Sequence, residues 1–193
     1  MNIKEKYNMN NEIITGIFTL VGVYLGTLLN SLNESKKSAR EIKIRSFLKL
    51  ASLKLPLTQS IQTNIEAQLL CEYYEARAYM LNSIDDLNEA KVQNNRMLSL
   101  IPEVTKQRSE FAMAMAEIKI AFDVPVEINQ LLMDVYKSSS LKINSVVNKF
   151  ATEEKLNEWK EESHKLIVDY LKNEYSNKIE RIIEHFYPEF EKL

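Results

Sequence analysis

The residues with the clearest capacity for chemistry are a glutamate and a histidine near the end of the chain. Glu161 and His164 form a Glu-x-x-His pair, which is the spacing that helical bundles use in di-iron centres. Such a centre needs a second pair and further inward glutamates. The other histidine, His185, has Ile182 three residues before it, so the second pair is missing. We therefore favour a surface histidine on a polar helix face, and we expect no metal site.

The nucleophilic side chains lack the neighbours that would activate them. Cys71 has no basic residue or histidine beside it, which favours a small packed residue or an unreactive thiol. The serines at 138–140 are expected within a helix and have no nucleophile elbow around them. No glycine follows Gly26, so the larger part of the chain offers no phosphate-cradling loop. These patterns predict a protein without enzymatic activity and without a cofactor.

The charge pattern argues against nucleic acid as a partner. The formal net charge is -2, and Arg77, Lys106, Arg108 and Lys119 are scattered among acidic residues. Such residues are typical of solvated helix faces, whereas a nucleic-acid footprint clusters its basic residues. One cysteine excludes an internal disulfide framework and fits a reducing compartment.

The elements that must position these residues are helices. Only 3 glycines and 4 prolines interrupt the 193 residues, which suits long helices joined by short turns. The apolar spacing predicts an all-α fold, in which an N-terminal transmembrane helix precedes an antiparallel bundle of four to five helices. We divide the chain into 1–12, the membrane segment 13–33, a basic juxtamembrane helix over 34–54 and the bundle over 55–193.

Local signals place the boundaries within the bundle. Pro56 should break or kink the first helix, Ser83 should cap a new start, and Pro102 should begin another helix. A turn is expected at 123–125, followed by a helix that carries apolar residues from Ile128 to Phe150. Thr152 should cap a last helix over 153–186, which Pro188 ends. The inward residues of that helix are predicted to be Leu156, Trp159, Ile167, Tyr170, Leu171, Ile179, Ile182, Ile183 and Phe186.

The N-terminal segment carries the strongest single signal in the sequence. Residues 13–33 contain no charged side chain, and the strongly apolar part runs from Ile13 to Leu29. About 20 apolar residues suffice for a helix to cross a bilayer, so these 17 are near the lower limit. A buried helix of a soluble protein is the main alternative. A cleaved signal peptide fits less well, because Glu12 precedes the run and no small-residue cleavage site follows it.

Basic residues on one side of this segment predict its orientation. Only Lys4 and Lys6 precede it, whereas residues 34–54 carry seven basic and two acidic side chains. The positive-inside rule then places residues 1–12 outside the inner membrane and the bundle in the cytoplasm. We expect the first basic turns to contact anionic lipid through Lys36, Lys37, Arg40 and Lys43. The apolar face of the same helix should pack into the bundle, although the whole helix lying on the headgroups is the alternative.

Small residues form a stripe along the membrane segment. Thr15, Thr19, Gly22 and Gly26 follow one another at spacings of four, three and four residues. A stripe of this kind lets two helix backbones approach closely in lipid, so it favours a homo-oligomer. The alternative is that the residues are merely tolerated. Cross-linking of a Gly22→Leu chain in membranes would separate the two.

The layout resembles small bacterial single-pass membrane proteins of unknown function, which prophages or mobile elements often encode. The resemblance rests on the segment Ile-Ile-Thr-Gly-Ile-Phe-Thr-Leu-Val-Gly-Val-Tyr-Leu-Gly and the basic residues that follow it. A second part is Ala-Glu-Ile-Lys-Ile-Ala-Phe before a Pro-Val-Glu helix start. The resemblance implies no catalytic residues, and it implies a role in conflict between phage and host or in defence.

Three functions are compatible with these patterns. The leading hypothesis is a non-enzymatic, membrane-anchored helical module that binds or senses a protein partner. The second is an oligomeric effector that perturbs the membrane, although a segment without charged residues is a poor lining for an aqueous pore. The third is a soluble adaptor that buries its N-terminal helix.

Overall fold

The computed structural model describes the backbone of residues 3–138 and 141–192. Side chains are described at 26, 27, 30 and 31, and from 33 onward within those ranges. All regular structure in the described residues is helical, so the predicted all-α class is confirmed. The helices are α1 (Ile3–Leu81), α2 (Ile84–Ala121), α3 (Val126–Lys137), α4 (Glu153–Leu171) and α5 (Asn177–Glu191), and a π-helical segment (Lys172–Ser176) joins the last two.

The chain divides into two compact units, Met1–Ile42 and Lys43–Leu193. In the first unit, the described backbone belongs to α1. Within the part of the chain that the structure describes, no helix combines the length and apolarity that crossing a bilayer requires. Most side chains of the predicted membrane segment 13–33 lie outside the described residues.

The second unit, which we call the bundle, is built on an antiparallel pair of helices. Lys49 of α1 contacts Glu117 of α2 at 2.7 Å between Nζ and Oε1. Further along α1, the Asn64 amide donates to the carbonyl oxygen of Met97 at 3.0 Å. Residue numbers rise along α1 while those of the α2 partners fall, so the two helices form a hairpin.

The last helices also run antiparallel to α1. Lys43, Lys54 and Arg77 contact Glu189, Glu180 and Glu153, respectively. It follows that α2 and α4 run in the same direction, so the chain must travel back along the bundle between them. The length of this return is roughly 50 Å, because α1 rises about 1.5 Å per residue between Lys43 and Arg77. The short helix α3 and the non-helical residues 141–152 cover that distance. We call residues 141–152 the return segment.

The core lies where α1 meets α2, α3 and α5. Its largest fully buried side chains belong to the five α-helices and the π-helical segment, and burial of this apolar area is the main force that holds them together. They are Leu50, Leu57, Ile61, Ile65, Phe111, Ile118, Leu132, Ile167, Tyr175, Ile179 and Phe186. A smaller cluster of Tyr73, Ala76, Val146 and Leu156 lies where the return segment meets α1 and α4. Every predicted inward residue of the last helix is buried or half-buried, so that prediction is confirmed.

Pro56 does not break α1, and the predictions that Pro102 begins a helix and that Pro188 ends one were wrong. Pro56 lies inside α1, Pro102 inside α2 and Pro188 inside α5, so none of them ends or begins a helix. A proline inside a helix removes one backbone hydrogen bond and is costly in isolation. All three prolines are exposed, so water can solvate the carbonyl that each one frees. Burial of Leu53 and Leu57 on either side of Pro56 then holds the helix together.

The predicted helix over residues 128–150 was also wrong. The helix that begins at Val126 ends at Lys137, and Ser138 is its C-terminal cap, while Ser139 and Ser140 lie outside the described residues. Val146 and Phe150 instead belong to the return segment. A continuous helix over residues 123–152 would be about 45 Å long, which is shorter than the return that the topology requires.

The start of the bundle lies within the predicted basic helix over 34–54. The bundle begins at Lys43, and Phe47, Leu50 and Leu53 are buried in its core. The apolar face of residues 43–54 therefore packs into the bundle. The predicted caps at Ser83 and Thr152 are confirmed, because the Ser83 and Thr152 hydroxyls accept hydrogen bonds from the backbone N–H groups of Asp86 and Lys155. The turn at 123–125 is also confirmed.

Candidate functional site

The residues that we expect to meet the membrane fall into two groups. Thr15, Thr19 and Gly22 lie outside the residues whose side chains the structure describes. Gly26 is described; it is exposed, and a Cβ atom built on it would have nothing within 4 Å. Open space around Gly26 leaves room for the close approach of another helix.

The four basic residues predicted to contact lipid have different surroundings. Lys36, Lys37 and Arg40 are exposed. Lys43 lies in the bundle, where its Nζ is 3.4 Å from Oε2 of Glu189 and 5.0 Å from the centre of the Phe122 ring. The bundle thus holds Lys43 through a carboxylate and an aromatic face, while the other three cations project into solvent.

The candidate chemical residues are far from a catalytic arrangement. His164 lies 4.0 Å from Glu66 between Nδ1 and Oε1, and half of its side chain is exposed. No group of three or more metal-binding side chains occurs in the described residues. Burial, followed by the charges of Glu72 and Glu75, raises the pKa of the Cys71 thiol, which disfavours the reactive thiolate.

One exposed apolar surface lies where α1 turns into α2. We call it the hairpin end, and it comprises Tyr79, Leu81, Ile84 and Leu87, which are 63%, 46%, 74% and 40% exposed. Tyr79, Ile84 and Leu87 line a common pocket of about 270 Å³ at the turn. Asn82 has φ of 50° there, and Asp86 closes the turn by donating its backbone N–H to the Ser83 hydroxyl.

An ion-paired arginine fixes the hairpin end to α4. The Arg77 guanidinium contacts Asp86 at 3.2 Å and Glu153 at 2.9 Å. Burial alone would lower the pKa of Arg77, but the two carboxylates outweigh it and raise that pKa. Because Arg77 reaches both α2 and α4, the exposed apolar side chains beside it are presented on a fixed scaffold.

The second surface is a groove between α4 and the return segment. Its volume is about 630 Å³, and α4 contributes Trp159, Ser163, Leu166 and Tyr170 to its wall. The return segment supplies the opposite wall, on which the Phe150 ring lies 5.9 Å from the Trp159 ring between centres. Most of the lining is apolar or aromatic, as in pockets that bind small molecules.

A hydrogen-bonded tyrosine lies next to Tyr170 of the groove, with the two ring centres 6.0 Å apart. Tyr175 is fully buried, its hydroxyl donates to the Ser138 carbonyl at 3.2 Å, and Arg108 donates to the same carbonyl at 3.1 Å. Arg108 also donates to the Tyr175 hydroxyl at 3.2 Å. Burial, followed by the effects of Tyr175, raises the pKa of the neighbouring Tyr170. These contacts hold the start of the non-helical chain against the π-helical segment.

Sequence reasoning missed both surfaces. The groove depends on a non-helical return segment, and the apolar residues of that segment were assigned to a helix. The hairpin end was placed correctly along the chain, but the exposure of its apolar side chains depends on which neighbours the fold provides. One signal of the charge of the groove was present in the sequence, since residues 141–152 contain two lysines and no acidic residue.

Comparison with known proteins yields no relative from which a function could be transferred. No protein-family model, no curated protein and no solved structure matches this chain.

Proposed function

We propose that the chain is a non-enzymatic, membrane-anchored helical module that binds a protein partner through the hairpin end of its bundle. The observation that carries the proposal is the exposed apolar surface formed by Tyr79, Leu81, Ile84 and Leu87. Contiguous apolar side chains at a protein surface are characteristic of interaction sites. The resemblance to small proteins of mobile elements extends the proposal to conflict between phage and host.

The sequence supports the anchor. The 21 residues from 13 to 33 carry no charge, and Lys36, Lys37 and Arg40 follow them. A run of this length suits a single crossing of the inner membrane, and the flanking cations favour a cytoplasmic bundle. Exposure of the three cations leaves them available to anionic headgroups.

The composition of the hairpin end supports a protein partner. A tyrosine and three aliphatic side chains surround a small pocket, and the polar residues Asn82 and Asp85 lie exposed beside them. An apolar centre with a polar rim is the usual anatomy of a protein–protein interface. Aromatic residues such as Tyr79 are also enriched among those that dominate binding energy.

Site-specific photo-cross-linking in cells tests the partner and the anchor together. A photoreactive residue at Ile84 should give one adduct of defined mass in the membrane fraction. The same residue at Ile120 is the matched control, because Ile120 is 84% exposed on the same helix but lies at its other end. Leu87→Ser should remove the Ile84 adduct and leave the amount of protein in the membrane unchanged.

The outcomes separate the three functions. Equal labelling at Ile84 and Ile120, or an Ile84 adduct that survives Leu87→Ser, would exclude the hairpin end as the contact. A chain that stays in the soluble fraction without detergent would exclude the anchor and favour a soluble adaptor. Leakage of ions from liposomes that contain the chain would favour a membrane-perturbing effector instead.

A further inference from the structure

The groove between α4 and the return segment has the dimensions of a small-molecule site. Its volume of about 630 Å³ lies within the range of about 300–1,000 Å³ that is typical of ligand pockets. It lies in the bundle and is lined by residues other than those of the hairpin end. A ligand in this groove would therefore be distinct from the protein partner at the hairpin end.

The apolar part of the lining selects an aromatic or alkyl body. Phe150 and Trp159 are tilted by 42° with their ring centres 5.9 Å apart, and they form one end of the groove. Leu166 and Tyr170 continue the wall along α4. Aromatic rings bind another ring favourably in offset or edge-to-face arrangements, so this surface suits an aryl group on a short alkyl chain.

The charged part of the lining selects an anion. Lys142 and Lys149 both line the groove, and neither makes an ion pair with any residue in the described part of the chain. The opposing charge in the lining is Asp169 of α4. Two cations and one carboxylate leave a net charge of +1, which a ligand with a single negative charge would neutralise.

The position of that anion follows from the order of residues along α4. Phe150 contacts Trp159, so the adjacent Lys149 belongs to the Trp159 end of the groove. Asp169 comes ten residues after Trp159, which is about 15 Å along the helix. The carboxylate of Asp169 therefore affects Lys149 less than it affects Lys142. A ligand anion is favoured beside Lys149.

A serine hydroxyl lies at the same end. Ser163 is 8% exposed, lies one helical turn after Trp159 and lines the groove. Its hydroxyl makes no hydrogen bond to another described residue. The hydroxyl oxygen keeps some exposure to the groove, so it can donate to a ligand oxygen in place of water.

We propose that this groove binds an arylalkyl monocarboxylate, with its carboxylate between Lys149 and Ser163 and its aryl body against Phe150, Trp159 and Leu166. Ring contacts supply the apolar part of the affinity, and the lysine distinguishes an acid from the corresponding alcohol. Binding at this position places the ligand against both α4 and the return segment.

Trp159 provides the measurement, because it is the only tryptophan in the chain. We would titrate the full chain in phosphatidylcholine liposomes with 4-phenylbutyrate and follow tryptophan emission. A saturable change with one site is expected. The probes 4-phenylbutanol and 4-phenylbutylammonium share the same body, and both should bind more weakly than the acid.

Substitutions test the roles of the two polar residues. Lys149→Gln should weaken 4-phenylbutyrate binding by about tenfold and leave the alcohol unaffected. Ser163→Ala should weaken acid binding by roughly threefold. Lys165→Gln is the matched control, because Lys165 is an exposed lysine of α4 outside the groove. Circular dichroism would confirm that the variants keep their helical content.

Two results would overturn the proposal. One is a Lys149→Gln chain that binds the acid as tightly as the original chain does. The other is an emission change that does not saturate, or that survives Leu166→Asp. Leu166 is 64% exposed, so this substitution places a charge on the wall of the groove without disturbing the core. Neither result bears on photo-cross-linking at Ile84, so this proposal and the proposed function can fail separately.

Discussion

The bundle contains two connections between long helices that differ greatly in length. Asn82 and Ser83 alone join α1 to α2, whereas residues 122–152, which include α3, join α2 to α4. The short connection reverses the direction of the chain, and the long one restores it. The reason is topological, since α2 and α4 both run antiparallel to α1.

The two connections also stabilise the fold in different ways. The short one depends on local backbone chemistry, namely the positive φ of Asn82 and the hydroxyl of Ser83. The long one depends on tertiary contacts, because Leu132 of α3 and Val146 of the return segment are buried against other elements. Local contacts therefore form the turn between α1 and α2, whereas distant contacts form the groove.

The largest expected effect comes from removing a tertiary contact of the long connection. Leu132 is fully buried in the core, so Leu132→Ala should lower the free energy of unfolding by about 3 kcal/mol. Val126→Ala in the same helix is the control, because Val126 is 84% exposed and should cost under about 0.5 kcal/mol. Urea unfolding of the full chain in a neutral detergent, followed by Trp159 emission, measures both. Similar costs for the two variants would show that α3 is not held by burial.

A smaller effect is expected from the caps at the two connections. Ser83→Ala should cost about 1 kcal/mol, because the Ser83 hydroxyl accepts a hydrogen bond at 3.2 Å from the Asp86 N–H. The corresponding distance from the Lys155 N–H to the Thr152 hydroxyl is 3.4 Å, and both residues are exposed, so Thr152→Ala should cost about half as much. The same urea experiment compares them. A larger loss at Thr152 would contradict the view that local chemistry matters more at the short connection.

The smallest expected effect comes from lengthening the long connection. Insertion of Gly-Ser-Gly after the exposed Ser145 should cost only a few tenths of a kcal/mol, because loop entropy varies slowly with length. The same insertion between Asn82 and Ser83 should cost more than about 1 kcal/mol, since it separates the turn from its cap. Thermal unfolding by circular dichroism would rank the two. Equal costs would mean that the return segment is as constrained as the turn.

The sequence was sufficient to predict those features that depend on residues close together in the chain. Ser83 and Thr152 were identified as caps from the residues that follow them, and the helical period identified the inward face of the last helices. It was insufficient for those features that depend on packing between residues far apart in the chain. Pro56 lies within α1 because burial of Leu53 and Leu57 on either side outweighs the local penalty. The groove could not be predicted, because Val146 and Phe150 have a helical spacing but lie in a segment that is not helical.

The π-helical segment at Lys172–Ser176 has a consequence for the inward faces of the last helices. Ser163, Ile167, Leu171, Tyr175 and Ile179 are buried at steps of four, and such steps would rotate steadily away from the core in a regular α-helix. A wider turn absorbs this drift and keeps Tyr175 facing inward. The same turn therefore places the Tyr175 hydroxyl where it donates to the Ser138 carbonyl at the end of α3. A local change in helical pitch thus joins the last helices to the start of the long connection.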